Sequence, residues 1–311
     1  MTQKRVVVVV NKWWECDPVV NVLLNDNARP KKELGWPDPL HHPRKRPDQN
    51  NLPPDNPKPV PRAIFNLKNI TAEIWCISDL LEDYADVPTK PNLQSSSELK
   101  AQRLPRVFAG TAVDFVVAVG TAGYPGPYSE NGSVVVGSKI FMHNGHPNGE
   151  NPISNWKDGP FDQVIDSKID QDTFNAITII ETSPKPSVLD CFMTPPLNPT
   201  ANGRLIARYD HVGLGTVNVT DYTEYAQKDD ETLKAFTDKH NISTARSLET
   251  THGLIRVQSE APFIFVSGIT DRVGHFGDEV GPRTYAQNTS AAHNAGVVVA
   301  WMLPEIDLML A

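Results

Sequence analysis

The sequence predicts an α/β protein, a single domain in which a mixed β-sheet is sandwiched by helices, with a long Pro-rich insertion. Three observations predict it. Val6 to Val10 is an unbroken β-branched run without polar alternation, the pattern of a strand covered on both faces. Asp114 to Val119 and Pro262 to Ile269 repeat that pattern further along the chain. Helical segments separate the strands, which suits a mostly parallel or mixed sheet packed between helices. With 311 residues, 39% of them hydrophobic and 21% charged, the chain is long and apolar enough for one large core.

Taken in order, Pro18 to Leu24 reads as a short helix, with Asp17 as N-cap and Pro18 at the first helical position. From residue 29 to 62 the composition changes: ten of the 27 prolines lie between Pro30 and Pro61, interleaved with basic residues. Proline removes donors and restricts its predecessor, so this stretch reads as a surface excursion or lid without packed elements. Ala63 to Leu67 and Glu73 to Ile77 are expected strands, and Ser95-Ser96-Ser97-Glu98 is a capping-box pattern for a helix to about Leu104. The Asp114 strand ends in a Gly120-Thr121-Ala122-Gly123 turn, and Ser133 to Phe141 continues as another strand. Val212 to Val219 leads into a loop at Thr220-Asp221-Tyr222, and Asp230 caps a helix to about His240. Ser247 to Gln258 looks helical, Pro262 to Ile269 is a strand ending at Thr270-Asp271, and Tyr285 to Leu303 is a closing helix stopped by Pro304.

Composition narrows the function. A net charge of −8 argues against a nucleic-acid polymer as partner, since phosphate neutralisation needs a basic face. Neither Val6 to Val10 nor Gly296 to Leu303 approaches the roughly 20 residues that span a bilayer. Met1 to Arg5 with the valines is too short for a secretory leader, and Cys16, Cys76 and Cys191 share no spacing that suggests disulfides or zinc. A cytoplasmic protein without membrane contact is expected.

Ligands in open α/β sheets bind beyond the carboxyl ends of strands. Three such ends carry polar or small residues: Asn11 to Asp17 with Trp13, Trp14 and Glu15, then Gly120 to Gly123, then Thr270-Asp271. A ligand-free turn and a helix N-cap are the plain alternatives for the last two. His143 and His146 have an H-x-x-H spacing, but no cysteine or acidic pair completes a metal site, so none is expected. His252 and His293, on expected helices, read as packing residues, while His275 borders the presumed site.

The ordered set VDFVVAVGTAG from Val113, VVVG at Val134 to Gly137, LET at Leu248 to Thr250 and PFIFVSGITD to Asp271 resembles the nucleoside phosphorylase superfamily. That superfamily includes purine nucleoside and uridine phosphorylases and 5′-methylthioadenosine/S-adenosylhomocysteine nucleosidases. Its M-E pair at a helix start corresponds to Leu248-Glu249, and its terminal strand Asp to Asp271, 22 positions later. The match runs from about Ala112 to Leu303, with Val6 to Val10 as the first strand; residues 25 to 105 match poorly.

The resemblance implies a role for each matched residue. Asp271 would protonate or hydrogen-bond N7 of a departing purine, and Glu249 would bind the ribose hydroxyls. Thr121, Ala122 and Gly123 would face the sugar, the nucleophile and the base edge, with Leu248 beside them. Asp221, Tyr222 and Thr223 fall in the loop that supplies a stacking ring, and His143 falls near a histidine found close to subunit boundaries. Glu15 or Asp17 lies where the nucleosidases place the acidic residue that activates water. Two family arginines that hold phosphate are Ala118 and Ser267 here, and Lys12, Arg62 or Arg106 would have to substitute. Hydrolysis is therefore favoured over phosphorolysis. No organic cofactor is implied; inorganic phosphate would be the cosubstrate of a phosphorylase. The expected partner is a small nucleoside, and the expected assembly a homo-oligomer. A nucleoside-binding protein that has lost the chemistry is the alternative of a different class.

Overall fold

The computed structural model describes residues 3–24, 60–81, 97–144, 163–178, 203–217, 243–275 and 285–311, the backbone of Leu40–His41, and isolated positions between 231 and 238. The chain opens with β1 (Lys4–Val10), α1 (Trp13–Leu24), β2 (Leu40–His41), β3 (Ala63–Asn66), β4 (Ile70–Cys76) and α2 (Ile77–Leu81). Next come α3 (Ser97–Arg103), α4 (Pro105–Phe108), β5 (Phe115–Tyr124), β6 (Val134–Gly137), β7 (Lys139–Asn144), β8 (Gln163–Ile165) and α5 (Gln171–Thr178). The last part holds β9 (Leu205–Ala207), β10 (Val212–Val217), β11 (Ala245–Glu249), α6 (His252–Arg256), β12 (Phe263–Arg272) and α7 (Tyr285–Met309).

Among the described residues twelve strands form one mixed sheet, ordered β2-β3-β4-β1-β5-β11-β10-β7-β8, with β12 beside β5 and β6, and β9 on β6. The valine run behaves as its composition requires. Val6, Val8 and Val10 join one core cluster with α1 and α7, while Val7 and Val9 join the cluster under α2, α3, α4 and α6. All five are fully buried, and each contributes about 1.5–3 kcal/mol by leaving water. The expected helix-covered sheet is present.

Several expected boundaries differ. Helix α1 begins at Trp13, not Pro18, and carries Pro18 inside it. Its start is fixed by two polar contacts: Glu15 Oε2 accepts the Lys12 amide at 2.7 Å, and Ser78 Oγ accepts the Trp13 amide at 3.1 Å. The first is the reach-back half of a capping box; Lys12 has no side-chain acceptor for the other half, and its carbonyl accepts the Glu15 and Cys16 amides at 3.1 and 2.9 Å. Helix α7 continues through Pro304 to Met309. The expected Ser133–Phe141 strand is two strands, β6 and β7. Residues 245 to 249 are strand, not helix, because Ser247 and Glu249 pair with Gly213 and Gly215 of β10.

Within the Pro-rich segment, Leu40–His41 pairs antiparallel with β3, so the stretch does contribute an edge strand. Its role as excursion or lid lies outside the described residues, as does most of the helix expected from Asp230. Cys16 and Cys76, 60 positions apart, meet in the core as free thiols; their hydrogen bond and burial push the Cys16 thiol well above its usual range. Nearby, Arg62 donates to Asp79 at 2.5 and 2.8 Å and to Asp17 at 2.7 Å. No helix among the described residues is long and apolar enough to cross a membrane.

Candidate active site

The sheet forks at β5. Strand β1 pairs with β5 from Phe115 to Val119 and then ends. Beyond it, β11 takes up the same side, meeting β5 antiparallel where Leu248 faces Gly123. Between those two pairings the Thr121 amide finds no strand partner, and Glu15 takes its place. Glu15 Oε1 accepts the Thr121 amide at 2.7 Å and the Thr121 hydroxyl at 2.6 Å. With Lys12 on Oε2, about three of four acceptor sites of this 2%-exposed carboxylate are filled. The sequence reading of Gly120–Gly123 as a turn is thus corrected: the four residues continue β5 and form the edge of the fork.

Asp271 reaches the fork from the other flank. Strand β12 runs parallel to β5, and its register shifts between Ile269 and Asp271, so that Ile269 lies level with Ala122 and Asp271 with Gly123. In a regular strand Asp271 would share the face of Ile269; the extra residue, Thr270, turns it to the face of Gly123. A Cβ on Gly123 would stand 3.2 Å from Asp271 Oδ2, so glycine makes room for the carboxylate. Thr270 Oγ1 donates to Asp271 Oδ1 at 2.5 Å. Asp271 therefore sits inside the strand, at a bulge, not after its end.

Glu249 ends β11 instead of starting a helix. Its two oxygens accept the amides of Thr251 and His252, which orients α6. Burial pushes its carboxyl up to about 7, while those amides and the Lys100 ammonium pull it down. Lys100, buried on α3, donates to Thr251 Oγ1 at 2.9 Å. Nothing in the local sequence marks this lysine.

The three carboxylates thus converge on four consecutive residues: Glu15 at Thr121, Asp271 at Gly123, and Glu249 one residue past Leu248, which is also level with Gly123. Ala122 is buried between them, and its carbonyl lies 3.5 Å from Thr270 Oγ1. His143 lies in β7 with its backbone level with Thr216 of β10. Asp221, Tyr222 and Thr223 lie outside the described residues, as does His146. Among the described residues no group of three acidic, histidine or cysteine side chains is arranged to hold a metal.

One residue that the sequence assigned to packing belongs to the site. His252 follows Glu249 by three positions, and that spacing across a strand-to-helix turn was the available signal. Its Nδ1 lies 3.8 Å from Glu249 Oε1. The contact is not an ion pair, because burial holds the imidazole down at about 4 against the opposing pull of Glu15 and the Val119 carbonyl.

No family model and no curated protein matches this sequence. Solved structures do. Futalosine hydrolase from Helicobacter pylori superposes with a TM-score of 0.53 at 9% identity, over 97% of this chain and 98% of its own. The 5′-methylthioadenosine/S-adenosylhomocysteine nucleosidase of the same organism, bound to butyl-thio-DADMe-Immucillin-A, gives 0.52 at 10% identity over 98% and 100%. The chain has the nucleoside phosphorylase-like fold. A methylthioadenosine phosphorylase from an antarctic soil metagenomic library shares this fold too, with a TM-score of 0.51 at 9% identity over 98% and 87%. The fork lies just past the carboxyl end of β1, and open α/β sheets take their ligands beyond strand ends of this kind.

Proposed function

We propose that this chain cleaves the N-glycosidic bond of a small purine nucleoside, and that it does so by hydrolysis. The observation that carries the reading is the convergence of Glu15, Glu249 and Asp271 on Gly120–Gly123. In that arrangement Asp271 faces the base and hydrogen-bonds or protonates the departing purine. Glu249 accepts from the ribose hydroxyls. Glu15 takes the proton of an attacking water as its oxygen bonds to C1′ and the C1′–N pair leaves with the base. Carboxylates around a sugar that becomes oxocarbenium-like lower the barrier without a cofactor.

Hydrolysis is favoured over phosphorolysis by what the cations do. Arg62, a candidate phosphate ligand, is engaged by Asp79 and Asp17, and Arg5 by Glu73 and three carbonyls. The family's two arginine positions are Ala118 and Ser267, both buried. Phosphorolysis remains the second reading because a phosphorylase is among the proteins of this fold. Homo-oligomerisation accompanies the proposal on the strength of the family resemblance, and a reducing, cytoplasmic setting on the spacing of the three cysteines.

The test is base release from a panel of purine and pyrimidine nucleosides, in phosphate-free buffer and with phosphate. Release without phosphate is expected. Release only with phosphate would select the second reading, and intact nucleoside recovered bound to the protein under both conditions would mean a binding protein.

A further inference from the structure

Under the fork, on the face of β5 that carries Val116 and Ala118, lies a cluster of buried polar atoms with no evident structural use. His252 is 1% exposed, and neither ring nitrogen has a well-aligned hydrogen-bond partner among the described residues, although the Val119 carbonyl lies near enough to favour a ring proton. Ser267, level with Gly120 on the adjacent strand, is fully buried and its hydroxyl is likewise unpartnered. Each such atom costs about 1–3 kcal/mol when left unmatched, so several in one spot call for a ligand that completes them.

Gly120 shows where the cluster points. A Cβ built there would stand 3.3 Å from His252 Nε2 and 3.5 Å from Glu15 Oε1. The absence of a side chain at this position therefore keeps open the space between the imidazole and the carboxylate. The ring itself is braced by Phe265, with centroids 5.9 Å apart, and by Glu249 Oε1 at 3.8 Å from Nδ1. The charged groups that face it are Glu15 from α1 and Glu249 from β11, with the Lys100 ammonium of α3 held one residue away on Thr251.

Resting on the hydrolytic reading above, we propose that His252 is a catalytic residue that seats the nucleophilic water between its Nε2 and the Glu15 carboxylate, over Gly120. A neutral imidazole offers one lone pair and one N–H, so it holds the water oxygen by a hydrogen bond without neutralising Glu15. The water then gives one proton to Glu15 at Oε2, which keeps the one acceptor site left on the carboxylate, the water oxygen bonds to C1′, and the base leaves with the bond pair toward Asp271. In this chain His252 and Ser267 would do with neutral groups what a guanidinium at position 267 does for phosphate, which suits a neutral nucleophile.

The test compares wild type with His252→Phe, which fills the space without hydrogen bonding, with His252→Gln, which keeps a polar head, and with Gly120→Ala, whose methyl narrows the space between Nε2 and the Glu15 carboxylate. Hydrolysis is measured by steady-state kinetics, and by the ratio of ribose to methyl riboside formed in aqueous methanol. Binding of the free base, which needs only the Asp271 flank, reports a folded site. The expected result is a fall in kcat of about 100-fold for His252→Phe and Gly120→Ala, with KM within about threefold, base binding intact and a changed product ratio. His252→Gln should recover roughly a tenth of the wild-type rate. If wild type hydrolyses but His252→Phe does so within threefold and at the same product ratio, His252 is a packing residue and this proposal alone fails. If wild type releases no base from any nucleoside, the hydrolytic reading fails and this proposal with it. Should His252→Phe not fold, Gly120→Ala decides: a normal kcat there overturns the proposal.

Discussion

Glu15 and Thr121 meet through two hydrogen bonds to a single carboxylate oxygen, 2.7 Å from the amide and 2.6 Å from the hydroxyl. The pair joins the first turn of α1 to the edge of β5 at the point where β1 stops, so a side chain completes what a strand would otherwise supply. The contact also fixes the carboxylate proposed to activate water. Thr121→Val removes the hydroxyl and keeps the amide. The expected outcome is a loss of about 1 kcal/mol in folding free energy and a roughly tenfold lower kcat, with Thr121→Ser near wild type. Urea denaturation and initial rates check both, and an unchanged kcat in the valine variant would show that the hydroxyl does not support the base.

Asp271 owes its place to the bulge at Thr270. Asp271→Asn keeps the shape and the hydrogen bond from Thr270 but cannot carry a proton to the base. Base release should fall by about 100- to 10,000-fold, with a far-ultraviolet circular dichroism spectrum like that of wild type. Near-normal turnover would remove Asp271 from the chemistry.

Glu249 sets a pH dependence. Burial raises its carboxyl from the usual 4.5 to about 7, so the folded chain holds that proton more tightly than the unfolded chain. The associated stability is fully present below about pH 4.5 and is lost as pH rises through about 7. Thermal melts of the unliganded protein should therefore drop across that window, and Glu249→Gln should flatten the drop. In the opposite sense, kcat/KM for a riboside should rise through about pH 7 as the ribose acceptor ionises, and the glutamine variant should lose that rise.

Arg62 is 5% exposed and is held by Asp79 and Asp17. Arg62→Met strands the Asp79 carboxylate in the core, and a loss of about 3–5 kcal/mol is expected from chemical denaturation. Pairing it with Asp79→Leu should restore most of that loss. A phosphate ligand would behave differently: if Arg62→Met chiefly raised the KM for phosphate and left stability unchanged, the second functional reading would gain its missing cation.

Much of this was legible in the residues. The valine run and the apolar strands before Gly120 and Asp271 are local patterns of composition and period. Local sterics and burial make them strands or strand ends in nearly any context, and the order of the motifs carried the resemblance to a nucleoside-cleaving superfamily.

The rest depended on partners distant in the chain. That Gly120–Gly123 extends a strand follows from its pairing with β12 and β11, not from its own glycines. Residues 245 to 249 form a strand because β10 offers them a ladder. Which face Asp271 takes is set by one inserted residue in the register, and a one-residue slip inverts every side chain without altering the apolar pattern. Lys100 is unremarkable in sequence and His252 is marked only by its spacing from Glu249; only when α6 and α3 are packed under the fork do they stand beside the carboxylates. Composition and period thus determined that Val6–Val10 and the apolar stretches before Gly120 and Asp271 become buried strands. The tertiary structure alone decided which side chains meet, because register and burial belong to pairs of segments and not to either one.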